Sequence, residues 1–381
     1  MEELSDAGSI PACSNKKPLL AVFFCWGYFY VLCYNAAMEK IVENVLSEKI
    51  KDFDLIPRFF EGKRVCMFDI ETTGLSPEYS FTYIIGVNLF VDGQWQIIQL
   101  FNDDGKSEPE MIETFGKMIQ GYDVLVEFNG DRFDIPYIQK RIHMIKRKLG
   151  ISIKDPFTDI ISFDLMKCIK PYKYALGLPN IKQKTIEKYL GIDRVDMYNG
   201  GQLIDVYLEY LSMKSERNKE LVLRHNRDDM EGMLYLGAVL GIDAISKGLL
   251  GDIRYNVSAS EDSLVLDVNA MLDYCLIKPI FTSVEGSSIE AEGDRLRLKL
   301  PIYVGSLKYY YGTKESDGFE VKDGYFVPSF VDYKGKCPVY REMARAKSGF
   351  IMLDDSFLGN EQLIYDYISH AICAIMHSTL R

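Results

Sequence analysis

The sequence lacks the cysteine and histidine patterns that mark a zinc site or a disulfide framework. It has eight cysteines and four histidines, but no C-x-x-C pair and no cysteine–histidine set at zinc-ligand spacing. Scattered cysteines of this kind are typical of reduced thiols in a cytoplasmic protein. We therefore expect a cytoplasmic location and no structural zinc.

The chain also lacks a positive overall charge. The formal net charge is −11 over 381 residues, which excludes attraction of the whole surface to nucleic acid. Any such binding needs a local basic patch. Repeats and low-complexity tracts are absent too, and an apolar content of 48% is ample for two cores of ordinary size.

Charge is missing altogether from a long stretch near the N-terminus. No charged residue lies between Lys17 and Glu39, and this length is just sufficient to span a bilayer. Residues 1–17 carry three acids against two lysines, which is a poor signal peptide. Two readings stay open: residues 18–37 are a membrane anchor and tether the protein, or residues 1–37 are a dispensable extension before a start at Met38.

Periodicity predicts a mixed α/β domain followed by a smaller, mostly β domain with a final helix near 360–379. The clearest local signal is Asp92-Gly93 between two apolar runs, which predicts a tight hairpin. Strands alternate with helices from about residue 64 to residue 247, which indicates a mixed sheet flanked by helices. The predicted divisions are an N-terminal extension (1–37), a connector helix (38–61), the α/β domain (62–248) and an accessory α+β domain (249–381).

Two acids end the first strand of the α/β domain. Asp69 and Glu71 follow the apolar run 65–68, and their spacing of two places both side chains on one face of a strand. Such a pair repels unless a positive charge lies between the two carboxylates. Taken alone, the pair is more often a solvent-facing strand end than a site.

Two further acidic elements follow in the chain. Asp134 comes after a strand and a turn, at a predicted helix start that Pro136 marks. It could equally be a helix N-cap. His225 and Asp229 are four apart in a predicted helix and so share a face. That face could simply be solvated.

Together these residues favour a metal site over three unrelated features. Asp69, Glu71, Asp134 and Asp229 supply four carboxylates, which match two divalent cations. Two such ions clamp the attacking and leaving oxygens of phosphodiester hydrolysis. His225 could take or orient the proton of the attacking water. No small-molecule cofactor is indicated.

A basic segment follows Asp134 directly. Residues 139–194 hold thirteen Lys or Arg against five acids, and Lys140, Arg141, Lys170 and Lys173 are among them. A local charge of +8 beside the acidic set favours a groove that follows the backbone of single-stranded DNA or RNA. The alternative is an ordinary solvated helix surface.

The three acidic elements resemble the motifs of the DEDD exonucleases with a ribonuclease H-like fold. The matching stretches are Asp69-Ile-Glu71-Thr-Thr-Gly-Leu, Phe128-Asn-Gly-x-x-Phe-Asp134-x-Pro and His225-Asn-x-x-Asp229, and residues 186–191 and 221–234 are most similar to the YprB-type branch. The resemblance covers about residues 62–245. It implies a mixed five-stranded sheet, a two-metal site with Mg²⁺ or Mn²⁺, and 3′-to-5′ exonuclease chemistry. It also implies substrate contacts by Thr72 and Asn129.

One residue departs from the family pattern. Histidine-type members place His five residues before the last Asp, and tyrosine-type members place Tyr four before it. His225 has the tyrosine spacing, so its role as general base stays open, and Asp228 is an alternate ligand. The competing hypotheses are a nucleic-acid-binding module of the same fold without catalysis, and a membrane-tethered nuclease.

Overall fold

The computed structural model describes most of the chain and divides it into two compact units. The described residues are 19–25, 28–34, 38–174, 176–194, 198, 200–260, 263–330 and 337–379. The first unit comprises Met1–Ser47, Gly62–Phe163 and Val195–Glu231, and the second comprises Glu48–Glu61, Asp164–Arg194 and Gly232–Arg381. Both units are discontinuous in sequence, whereas the predicted divisions were contiguous.

Strands and helices alternate through the first half of the chain, as predicted. The strands are β1 (Leu19–Cys25), β2 (Tyr28–Tyr34), β3 (Glu39–Asn44), β4 (Val65–Thr72), β5 (Thr82–Val91), β6 (Gln94–Phe101), β7 (Val124–Glu127), β8 (Ile161–Asp164), β9 (Ile253–Ser260), β10 (Ser263–Val284), β11 (Ser287–Pro301), β12 (Tyr303–Tyr310), β13 (Phe319–Pro328) and β14 (Phe350–Met352). The helices are α1 (Ser47–Ile50), α2 (Ile56–Phe59), α3 (Glu108–Ile119), α4 (Asp134–Leu149), α5 (Leu165–Ile169), α6 (Gln183–Tyr189), α7 (Gly200–Met213), α8 (Glu216–Leu236), α9 (Leu240–Ser246), α10 (Asp355–Leu358) and α11 (Glu361–Thr379).

The main sheet is mixed and has helices on both faces. Its strand order is β1-β2-β3-β6-β5-β4-β7-β8, with β4 antiparallel to β5 and parallel to β7. Apolar residues of α3 and α4 form one buried cluster with the sheet, and those of α7 and α8 form another. This confirms the predicted mixed α/β sheet flanked by helices, with more strands than the five that the resemblance implies.

The hairpin between β5 and β6 has the predicted two-residue turn. Asp92 and Gly93 adopt φ values of 51° and 79°, the left-handed conformation that the tight turn requires. Val91 and Gln94 pair directly across it. The hairpin sets the register of two central strands and hence of the strand that follows in the sheet, β4.

Residues 39–44 differ from the prediction of a connector helix, since they form strand β3. Glu39 and Glu43 lie on the face of β3 that meets α8. Lys219 Nζ is 2.6 Å from Glu39 Oε2, and Arg227 Nη2 is 2.7 Å from Glu43 Oε1. The bases that neutralise these glutamates lie about 180 residues away in sequence, so local periodicity could not reveal the strand.

The apolar N-terminal run is divided between two strands. Strands β1 and β2 pair antiparallel from Cys25–Tyr28 outward, and β2 pairs with β3. In the part of the chain that the structure describes, no helix is long and apolar enough to cross a membrane. Residues 1–18, 26–27 and 35–37 lie outside the described residues, so the choice between anchor and dispensable extension stays a prediction.

The second unit has a β-rich C-terminal region with two three-stranded sheets, as predicted. The strand orders are β11-β10-β9 and β12-β13-β14. Helix α11 buries one apolar side, including Ile368 and Ile372, in the same cluster as Leu266 and Leu298 of β10 and β11. A 3₁₀ turn at Gly237–Val239 separates α8 from α9, and a Cβ atom at Gly237 would lie 3.0 Å from the Phe53 carbonyl oxygen.

Candidate active site

Strand β4 carries the first two acids on the face that α8 covers. Asp69 pairs with Gly86 of β5, and Glu71 pairs with Ile84. A Cβ atom at Gly86 would lie 2.6 Å from Asn226 Oδ1 and 2.7 Å from Met230 Cγ. Because Gly86 has no side chain, α8 can approach the sheet directly beside Asp69.

Polar side chains anchor α8 on this part of the sheet. The buried Asn226 donates a hydrogen bond from Nδ2 to Asp69 Oδ2 at 3.2 Å, and Gln99 Nε2 donates to Asn226 Oδ1 at 2.9 Å. Asn88 Nδ2 donates to the Met230 carbonyl at 2.8 Å. This chain of amides fixes the orientation of the Asp69 carboxylate.

Asn226 was missed by the sequence interpretation, which assigned no role to it. The available signal was its position beside His225, three residues before Asp229. Asparagine offers both a donor and an acceptor. Here the donor is used on Asp69 and the acceptor on Gln99, so Asn226 links the acid to the next strand but one.

His225, Glu71 and Asp229 converge. His225 Nε2 lies 3.3 Å from Asp229 Oδ2 and 3.6 Å from Glu71 Oε1. The side chains of His225 and Asp229 are four apart on α8, as predicted, and point to one side of the helix. Tyr83 donates a hydrogen bond to Glu71 Oε2 at 3.4 Å. One donor atom from each of the three residues lies within 4.8 Å of the others, which is close enough to hold one cation.

Asp134 completes the set from the start of α4. It is the first residue of that helix rather than the N-cap, a position that Phe133 occupies without a side-chain cap. Its side chain is buried and its charge acts on Asp69. The structure therefore brings together all five residues that the sequence singled out for catalysis.

The electrostatics of Asp69 show what this convergence costs. Burial, followed by the negative charges of Asp134, Asp229 and Glu71, raises the pKa of the Asp69 carboxyl well above its usual range, and the hydrogen bond from Asn226 opposes this. A buried carboxylate with three acidic neighbours needs a proton or a cation. Four carboxylates and one imidazole are a donor set that suits divalent metal ions. The residues present thus fit such an ion.

Asp228 is oriented differently from its neighbours in the third motif. Its Oδ1 lies 3.4 Å from Arg227 Nη1, and Arg227 also binds Glu43. This contact directs Asp228 to the arginine, which favours Asp229 over Asp228 as the acid of the site.

Thr72 and Asn129, the two residues expected to contact substrate, lie at the ends of β4 and β7. Thr72 Oγ1 donates to the Gly74 carbonyl at 3.0 Å and is buried. Asn129 adopts φ = 67° in the turn after β7. Thr72 is the last residue of β4, and Asn129 lies two residues after β7. A substrate role for the two residues stays a prediction.

The basic residues predicted to contact nucleic acid have different environments. Lys140 is exposed on α4, whereas the Arg141 guanidinium binds Glu108, with Nε 2.9 Å from Oε1, and also donates to the Pro77 carbonyl at 2.7 Å. Arg141 is mostly buried, so the structure gives it a structural contact that the sequence interpretation did not foresee.

Lys170 and Lys173 belong to the second unit. Lys170 is exposed, and Lys173 Nζ lies 5.1 Å from the ring centre of the exposed Tyr174. Tyr172, two residues before Tyr174, is buried, and its hydroxyl donates a hydrogen bond to Asp243 Oδ1 at 3.2 Å. Of the two tyrosines, only Tyr174 has the exposure that stacking requires.

Parts of the chain are similar to known proteins. Residues 66–240 match the family model described as the RNase_H superfamily. The chain is 28% identical over 229 residues to a DNA polymerase of Desulfurococcus sp. (strain Tok), covering 52% of this chain and 28% of that one. It is 27% identical over 120 residues to DNA polymerase 1 of Sulfurisphaera ohwakuensis, covering 25% of this chain and 14% of that one. The chain thus spans well under a third of these curated relatives.

Similar solved structures include two enzymes that act on DNA. The family B DNA polymerase of Pyrobaculum calidifontis has a TM-score of 0.39 at 12% identity, covering 83% of this chain and 46% of that one. The zinc-bound E. coli ExoI–ssDNA complex has a TM-score of 0.26 at 14% identity, covering 55% of this chain and 54% of that one.

Proposed function

We propose that the protein, whose residues 66–240 match the RNase_H superfamily model, is a metal-dependent nuclease, a 3′-to-5′ exonuclease of single-stranded DNA or RNA. The observation that carries the proposal is the convergence of Asp69, Glu71, Asp134 and Asp229 in one buried cluster. A protein that only binds nucleic acid gains nothing from this repulsion. The order of the three motifs supports the exonuclease class and its direction.

The four carboxylates would hold the ions, and the residues around the carboxylates set the orientation of these acids. When bound, two divalent ions activate water and neutralise charge on the leaving oxygen of a phosphodiester. Asn226 and Gln99 hold Asp69 in one orientation, and Tyr83 holds one oxygen of Glu71. Because these supporting groups are buried, the site is prearranged and needs little reorganisation during the reaction.

The substrate strand needs a positive surface near these acids. The exposed Lys140 on α4 lies two turns of helix after Asp134 and is a candidate phosphate contact. Contacts of lysine with phosphate and of side chains with unpaired bases do not require that a duplex groove be read. We therefore propose a single-stranded rather than a duplex substrate.

The test uses the purified full chain with single-stranded DNA and RNA oligonucleotides labelled at the 5′ end. We expect a ladder of shortening products with Mg²⁺ or Mn²⁺ and none with chelator. Asp69→Ala abolishes the ladder, while Asp159→Ala, which removes an exposed acid on the same unit, retains it. Binding that persists in chelator, with no cleavage under any metal, would instead identify a catalytically silent module.

A further inference from the structure

We propose that His225 is a ligand of the metal centre, together with Glu71 and Asp229, and that the site therefore takes Mn²⁺ in preference to Mg²⁺. The inference rests on the proposed function, since it concerns an ion of the same site. It assigns His225 to coordination instead of to proton transfer from water.

The distances between the donor atoms fit coordination of a shared ion. His225 Nε2 is 3.3 Å from Asp229 Oδ2 and 3.6 Å from Glu71 Oε1. Neighbouring ligand atoms that each lie about 2.1 Å from an octahedral ion are about 3.0 Å apart. The separations of 3.3 and 3.6 Å are close to this value, so small shifts of the three side chains would bring the donor atoms to coordination distance.

The surroundings of His225 hold its ring in this position. His225 is only 6% exposed, so its ring is enclosed on most sides. Its partner Asp229 follows four residues later on the same helix, the spacing at which two side chains of a helix chelate one ion. Glu71 is held from the other side by the Tyr83 hydroxyl. A general base would instead direct its nitrogen to the water that attacks substrate.

The mixed donor set decides which ion is preferred. Mg²⁺ takes oxygen ligands, keeps several waters and demands near-ideal octahedral geometry. Imidazole suits later transition metals, while carboxylates suit Mg²⁺, Ca²⁺ and Mn²⁺. Two carboxylates with one buried imidazole therefore suit Mn²⁺, a first-row transition metal, better than Mg²⁺.

The first test detects histidine nitrogen directly and does not depend on activity. Pulsed electron paramagnetic resonance of the Mn²⁺-loaded full chain is expected to show an imidazole nitrogen coupling. Growth with ¹⁵N-histidine should convert this coupling to the ¹⁵N pattern. The isotope exchange uses the unaltered chain, so it stays decisive even where a variant fails to fold.

Variants then assign the nitrogen to one of the four histidines. His225→Gln should remove the coupling, while His143→Gln, which alters an exposed histidine on α4, should leave it unchanged. In titrations, His225→Gln should weaken Mn²⁺ binding roughly tenfold or more, because lost metal-site interactions cost about 10–100-fold. Mg²⁺ binding should change by less than about threefold, because Mg²⁺ relies on oxygen ligands.

The outcomes separate this inference from the proposed nuclease activity. Mn²⁺ bound without a histidine coupling, in a chain that degrades DNA or RNA, would overturn the ligand assignment and leave the function standing. A His225-dependent coupling in a chain that hydrolyses neither nucleic acid would support the ligand and overturn the function. A chain that binds no Mn²⁺ would overturn the ligand assignment. If the same chain still hydrolysed DNA or RNA, the proposed function would stand without that assignment.

Discussion

Helix α8 presents charged residues toward β3 and toward β4. Buried carboxylates are paired with basic side chains in the region near β3, whereas they are clustered with other acids in the region near β4. Toward β3, Lys219 and Arg227 lie within 2.7 Å of glutamate oxygens. Toward β4, Asp229 adds a negative charge beside Asp69, whose pKa rises. The first region neutralises buried acids with bases of the chain, and the second concentrates acids. Only the second leaves a charge balance that a metal ion can complete.

The Glu108–Arg141 pair repeats the neutralised pattern on the other side of the sheet. Glu108 accepts hydrogen bonds from the guanidinium and from the Thr82 backbone N–H at 2.8 Å. Its burial is nearly complete. Buried glutamate is thus tolerated in this unit where an arginine meets it. The comparison teaches that the acids of the site are held together for a purpose other than stability.

The largest effect is expected from Asp69→Asn, which removes charge from the concentrated region. Hydrolysis should fall roughly a thousandfold or more, because a catalytic ion contributes several kcal/mol. The free energy of unfolding in chelator should rise at neutral pH, since the amide removes repulsion with three acids. Hydrolysis rates and urea denaturation measure the two changes. If the metal-free variant were less stable than the metal-free parent, the acids near β4 would not repel each other as proposed, and the contrast with the region near β3 would fail.

Arg141→Met should have the largest effect on stability, because it leaves Glu108 charged and buried. We expect a loss of about 3 kcal/mol, typical of breaking a buried pair. Urea denaturation with and without Mn²⁺ measures it, and the loss should be the same in both. The double variant with Glu108→Gln should recover part of the loss. A loss that occurs only with metal would assign Arg141 to the site.

Arg227→Met tests the region of α8 that faces β3. The guanidinium is a quarter exposed and makes charged hydrogen bonds with Glu43, so we expect a loss of about 1–2 kcal/mol. Arg224→Met is the matched control, since Arg224 is about half exposed and pairs along the helix with Glu220. Thermal denaturation compares the two. Equal losses would show that the β3 contact contributes nothing special.

The smallest effect is expected at Asp267 of the second unit. The pKa of Asp267 is lowered, whereas that of Asp69 is raised. The hydrogen bond and charge of Arg297 hold the pKa of Asp267 below its usual value. A lowered folded-state pKa contributes stability above the unfolded pKa, which is lost as pH falls through the folded pKa. Because the pair is partly exposed, Arg297→Gln should cost less than about 1 kcal/mol at pH 7. At strongly acidic pH the parent and variant urea midpoints should converge, and a constant difference would exclude the pair as its source.

Local patterns were enough to predict the elements that carry the site. The hairpin at Asp92-Gly93 follows from turn chemistry, and the spacing of Asp69 and Glu71 follows from the two-residue period of a strand. His225 and Asp229 lie on one face of α8, as helix geometry predicts for residues four apart. In each case the deciding interaction spans only a few residues.

Features that depend on distant partners were not predictable in the same way. Strand β3 owes its place to Lys219 and Arg227, far along the chain. Arg141 counted as a basic residue for substrate until Glu108 and the Pro77 carbonyl enclosed it. The periodicity of apolar residues does not indicate ion-pair partners that are distant in sequence, because these contacts form only when the helices pack on the sheet.

By itself, the sequence determined the set of four carboxylates, their order and the elements that carry them, since strand and helix periods are local properties. Tertiary structure alone decided how those acids meet. Gly86 lets α8 approach Asp69, Asn226 fixes the Asp69 carboxylate, and packing directs His225 Nε2 between Glu71 and Asp229. Apart from the His225–Asp229 pair, these are contacts between residues about 140 to 157 positions apart in the chain, and their geometry exists only once the helix is packed on the sheet.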